Sequence, residues 1–125
     1  IEAARSWSIW EASTSKLIPS ENYLHHFNDT KVSEAFARIE CHYFTNGGFF
    51  EHENWILHNA NKIRHLPIVI IQGRYDIVCP MVSAWELRGA LPKAYFEIVQ
   101  DAGHSMMEEG ILSKLVDYTD KFSNL

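Results

Sequence analysis

An α/β fold is predicted, with a helical segment leading into two strand–helix units. Three observations carry that reading. Pro67 to Gln72 (PIVIIQ) is a continuous run rich in Val and Ile, the composition of a strand covered on both faces of a parallel sheet. Ala94 to Gln100 (AYFEIVQ) is a second such run, and each is followed by a stretch with helical spacing. Residues 1–66, by contrast, carry their apolar groups at helical spacing without strand-like alternation.

The elements follow in order. Trp7 to Ser15 (WSIWEASTS) places aromatic and apolar groups three and four residues apart. Val32 to Phe44 repeats apolar residues at Val32, Phe36, Ile39 and Tyr43, a helical stripe that Asn46-Gly47-Gly48 stops. Glu51 to Arg64 is predicted as a further amphipathic helix, with Trp55, Ile56 and Ile63 inward. The first strand ends at Gly73. Pro80 suits the first turn of a helix running to about Leu91, because its missing N–H costs nothing there. After the second strand, Glu108 to Phe122 forms the last helix, with Ile111, Leu115, Thr119 and Phe122 on one side, widened by Leu112 and Val116. Strand–helix–strand with connections this short implies a parallel pair with a right-handed crossover. The expected division is therefore a helical segment at 1–66 and a β-α-β-α part at 67–125. Two parallel strands cannot cover their own faces, so more strands are expected beside them. With Ile1 rather than Met at the start and a helical first turn, the chain reads as a piece of something longer, without a signal peptide.

Composition narrows the function classes. The 125 residues carry a net charge of −5, with 46% hydrophobic and 22% charged residues, an ordinary globular balance. No basic cluster marks a nucleic-acid face, and no apolar run is long enough to cross a membrane. Two cysteines without a CxxC suit free thiols in a reducing compartment, so a cytoplasmic location is expected. Oligomeric state leaves no trace in the sequence.

Two short stretches carry chemistry. GRYD closes the first strand and places Asp76 just beyond it; DAGH closes the second and places His104 just beyond that. Functional groups in parallel sheets gather beyond the carboxyl ends of the strands, and neighbouring strands lie about 5 Å apart. Either residue alone suits an ordinary turn. Together at two adjacent strand ends they suit an acid–base pair, in which the carboxylate fixes the imidazole tautomer and the other ring nitrogen takes a proton from a nucleophile.

At WSIWEASTSKLIP, ARIECHYFTNGGFFE, GRYDIVCPMVSAWELRGALP and DAGHSM the sequence resembles the proline iminopeptidases, α/β-hydrolase-fold serine peptidases that release N-terminal proline. The four stretches span nearly the whole chain in family order. The resemblance implies the C-terminal portion of an α/β-hydrolase fold, with 1–66 as cap. It implies Asp76 as triad acid, His104 as triad base and no cofactor. The family's nucleophile sits on an upstream GxSxG elbow; no GxSxG occurs here, and Ser105 is not on such an elbow. The chain alone is therefore expected to be inactive and to need the upstream part of the same enzyme.

Glu11 and Glu40 stand among aromatics on their helices: Trp7 and Trp10 near the first, Phe36 and Phe44 four residues to either side of the second. A carboxylate in such company is costly unless it gains a cation or a hydrogen bond. The resemblance implies that both bind the charged amine of a peptide with a free N-terminal proline, with Phe44 in the ring pocket. Cys79, in the loop of Asp76, either lines that pocket or is a buried small residue; Cys41 is read as core. The spacing of His52, His58 and His65 does not match a helical zinc site, and no metal is expected. Met106 and Met107 are expected to pack under the last helix, whose positive end Glu108 and Glu109 favour. Two other readings remain open: another α/β-hydrolase, such as an esterase or epoxide hydrolase, and a non-catalytic interaction module.

Overall fold

The computed structural model describes residues 1–124. Its elements are α1 (Glu2–Ser15), α2 (Glu21–Asn28), α3 (Thr30–Thr45), α4 (Trp55–Asn59), β1 (Val69–Gly73), α5 (Met81–Ala90), β2 (Tyr95–Val99) and α6 (Glu109–Phe122). Short 3₁₀ turns lie at Gly47–Phe49 and Ala60–Ile63. No helix among the described residues is long and apolar enough to cross a membrane.

Helices α1 and α3 pack through small side chains. Ser8 and Ala12 face Ser33 and Ala37, all buried, and Ser8 Oγ donates to the Ser33 carbonyl at 3.2 Å. Residues this small at i and i+4 let two backbones approach closely. The buried face of α3 thus differs from the stripe read in the sequence: Ile39 and Tyr43 are exposed, and so is Cys41, which was expected in the core. Between these helices lies α2, an element the periodicity did not reveal. Its signals are local: Ser20 accepts from the Tyr23 amide, and Asp29 begins α3 by accepting from the amides of Lys31 and Val32.

The predicted helix over 51–64 is replaced by a turn, a five-residue α4 and a 3₁₀ turn. Gly47, Gly48, Phe49 and Asn54 all have positive φ, so the chain reverses repeatedly before it can propagate a helix. Ile56 and Ile63, expected inward, are exposed; Trp55 is half-buried, stacked on Phe50 at 5.6 Å.

β1 and β2 pair in parallel, from Val69 opposite Tyr95 to Gly73 opposite Val99. One apolar cluster joins Ala60, Leu91 and Ala94; another joins Val99, Ala102 and Ile111. The face of the sheet is only half covered, and Leu112 and Val116 on α6 stay exposed. Met106 and Met107 are exposed too, not packed beneath α6.

Candidate active site

The two strands are held together beyond their ends. The Arg74 amide donates to the Val99 carbonyl at 2.9 Å, and the Tyr75 amide to the Ala102 carbonyl at 3.0 Å. Gly73 sits where these loops touch: a Cβ there would lie 1.8 Å from the Gly103 oxygen. The glycine that closes the first strand is therefore a requirement of close approach. It lets the acid loop and the histidine loop run side by side.

Asp76 and His104 meet as a result. His104 Nδ1 lies 3.0 Å from Asp76 Oδ2, which fixes the proton on Nδ1 and leaves Nε2 as the basic nitrogen. The acid is sheltered, its side chain 8% exposed, whereas the imidazole is 38% exposed and can reach a reacting group. The other carboxylate oxygen, Oδ1, accepts from the amides of Val78 at 3.0 Å and Cys79 at 2.8 Å. All these partners present hydrogens, so the carboxylate is held as an acceptor.

The histidine loop is also stapled to the helical segment. The amides of His104 and Ser105 both donate to the Ser15 carbonyl at the end of α1, at 3.0 and 2.7 Å. Glu108 does not cap its own helix; its carboxylate accepts from the Gly103 amide at 2.7 Å and the Leu17 amide at 3.2 Å. The last turn of α1 is thus held against the histidine loop, with Glu11 one turn earlier.

His104, Glu11 and Glu40 line one cavity of about 490 Å³, with Tyr23, Phe27 and Phe36 among its walls. The three rings stack edge-on in series, at centroid separations of 5.1 and 5.4 Å. Burial pushes the Glu11 carboxyl up, the charge of Glu40 adds to this, and His104 opposes it. Glu40 is steadied by Trp7, whose Nε1–H donates to Oε2 at 2.5 Å. The site thus joins an oriented imidazole, two carboxylates and an aromatic wall.

Phe44 is placed elsewhere. It is 64% exposed and meets Trp7 edge-on at 6.4 Å; Tyr23, Phe27 and Phe36, and not Phe44, line this cavity. Tyr23 and Phe27 were missed because they lie on α2. Cys79 opens onto a different, larger cavity of about 810 Å³, lined also by Trp55, Ile70 and Gln72. The residue is exposed overall, while partial burial of its thiol, followed by the charges of Asp76 and Glu11, raises the pKa. The rings of His52 and His58 approach to 5.1 Å, yet no group of three or more His, Cys, Asp or Glu among the described residues is placed to hold a metal.

A parallel sheet carrying an Asp–His pair at its strand ends, under helices, is the architecture of the α/β hydrolases, and the family model described as alpha/beta hydrolase fold matches residues 7–111. The chain belongs to that family. Within it, the chain is 57% identical over 120 residues to a probable proline iminopeptidase of Leptolyngbya boryana, covering 96% of this chain and 37% of that protein. It is 50% identical to the proline iminopeptidase of Arabidopsis thaliana, over 98% of this chain and 32% of the relative. For the proline iminopeptidase of Xanthomonas citri the identity is 47%, over 98% and 39%. The chain thus spans about a third of the length of the curated relatives it matches.

Proposed function

We propose that this chain is part of a serine exopeptidase that releases N-terminal proline, contributing acid, base and amine-binding groups. In this reading residues 1–66 form the cap and 67–125 the end of the α/β core. The observation that carries it is the one cavity lined by His104, its Nδ1 held by Asp76, together with two carboxylates and an aromatic wall. A free N-terminal proline is a small apolar ring bearing a positive secondary amine. Glu11 and Glu40 supply the opposite charge, and Tyr23, Phe27 and Phe36 a wall for the ring. An acylated N-terminus would leave both carboxylates unpaired, which makes the site selective for the first residue.

A serine from an upstream segment attacks the prolyl carbonyl, and His104 Nε2 takes its proton. The C–N bond then breaks and the same proton passes to the departing amine. Water, deprotonated by His104, attacks the acyl-enzyme, and the serine leaves with that proton as proline is released. Asp76 holds the ring throughout and stabilises the imidazolium. A reducing compartment such as the cytoplasm suits the free, exposed Cys41 and Cys79.

The test is kinetic, on the full-length protein with proline p-nitroanilide. Glu11→Gln and Glu40→Gln should each raise KM about 10- to 100-fold, the loss of a charge-assisted hydrogen bond. N-acetylproline p-nitroanilide should not be cleaved. Equal turnover of the acetylated substrate, or of an uncharged ester by wild type and both variants, would favour an esterase-like hydrolase instead.

A further inference from the structure

The geometry points to Gln72 as a positioning residue: its buried side-chain amide fixes Asp76, and through it the tautomer and direction of His104. This rests on the reading of Asp76 and His104 as acid and base. Gln72 lies on β1 four residues before Asp76 and is 8% exposed. Its Nε2 donates to Asp76 Oδ2 at 3.3 Å, to the Cys79 carbonyl at 3.1 Å and to the Gly73 carbonyl at 3.3 Å. All three partners are acceptors, so only the NH₂ end of the amide can face them. Two hydrogens serve three acceptors, which accords with the long distances.

The placement has two consequences. The carbonyls of Gly73 and Cys79 stand at the two ends of the loop that carries Asp76, so one amide spans the loop. And Oδ2 is the oxygen that also receives His104 Nδ1, so the amide holds that oxygen from one side while the imidazole holds it from the other. Oδ1 is already occupied by two backbone amides. Gln72 completes the set of donors that keeps the carboxylate from rotating.

A Gln is informative here because its isosteres separate charge from shape. Gln72→Met keeps the volume and removes the donor. Gln72→Glu turns the donor into an acid facing three acceptors; ionised, it adds a like charge beside Asp76 and favours the imidazolium of His104. The other charged and titratable groups around the pair are unchanged between variants: Glu11 on α1, Glu40 on α3, Lys16 after α1, Cys79 on the acid loop, and Glu108 before α6.

The experiment uses the full-length protein and follows kcat/KM for proline p-nitroanilide across pH, with the His104 imidazole titration by NMR as a second readout. Gln72→Met should lower kcat about tenfold with KM unchanged, and shift the acid limb upward by a few tenths of a pH unit. Gln72→Glu should move the acid limb and the imidazole titration up by about one pH unit. Should Gln72→Glu fail to fold, the Gln72→Met measurements decide. The inference is overturned if Gln72→Met keeps wild-type kcat and limb, since a merely structural glutamine would alter stability and leave both in place. It is overturned as well if Gln72→Glu titrates as wild type does, since position 72 then does not face the pair. Should the wild type fail to cleave proline p-nitroanilide, the proline reading fails alone. The rate of labelling by a fluorophosphonate across pH, which needs nucleophile and base but no ring pocket, then decides the role of Gln72 by the same shifts.

Discussion

Glu11 is the residue whose environment departs most usefully from the ordinary. Burial first, and Glu40 second, hold its carboxyl above the usual 4.5, with His104 pulling the other way. The folded state therefore binds this proton more tightly than the unfolded chain does. Its contribution to stability is fully present below the unfolded value and is lost as pH rises through the raised folded one. In Glu11→Gln that pH-dependent loss is absent. Denaturation midpoints of the full-length wild type and of Glu11→Gln should therefore diverge as pH climbs from about 4.5, with the variant gaining on the wild type. Parallel curves would show that Glu11 does not feel this environment. The same raised value has a binding consequence: affinity for a cationic amine should fall as acid neutralises Glu11, at a higher pH than an ordinary glutamate would give. Part of this was readable from residues, because Trp7, Phe36 and Phe44 stand one helical turn from the two glutamates and Trp10 adjoins Glu11. The N–H of Trp7 as the partner of Glu40 was not, since it comes from another helix.

At the scale of elements, the site depends on two contacts between segments distant in sequence. One is the lateral contact of the loops after β1 and β2; the other is the staple of the histidine loop to the end of α1. Gly73→Ala tests the first. Its Cβ would fall 1.8 Å from the Gly103 oxygen and 2.8 Å from the Ala102 oxygen, so backbone must move. The variant should lose about 2 kcal/mol of stability to urea, the usual cost of overpacking. It should also lose kcat more than affinity, because the loops carrying Asp76 and His104 are pushed apart. An alanine variant with wild-type kcat would contradict this packing. β1, α5, β2 and α6 were all legible from the run PIVIIQ, Pro80, AYFEIVQ and the last helix's spacing. α2 and the break at 51–64 were not, because short helices and positive-φ turns leave little periodicity to read.

Over the whole molecule, surface area is the telling quantity. The chain exposes 9021 Å². A compact monomer of 14.5 kDa would expose about 6,900 Å². The buried hydrophobic residues are mostly alanines, while Trp85, Tyr95, Leu112 and Val116 lie open. A two-stranded parallel sheet has no means of covering itself. The 125 residues in isolation should melt broadly, bind an apolar dye and give no turnover of proline p-nitroanilide. A sharp, cooperative melt of a monomer would overturn the view that this surface meets further chain.

Residue order alone was enough to place Asp76 and His104 beyond two strand ends, because β-branched runs, a closing glycine and helical spacing are local properties of the backbone. It was also enough to single out Glu11 and Glu40, since charge among aromatics is visible along a helix. Only the folded chain decided what meets what. It brought Glu11, Glu40 and His104 to one cavity, replaced Phe44 by Tyr23, Phe27 and Phe36 as its wall, and set Gln72 against Asp76. The reason is physical: cavities and hydrogen-bond partners arise from packing between segments far apart in sequence, and the relative rotation of two helices is not written in the periodicity of either one.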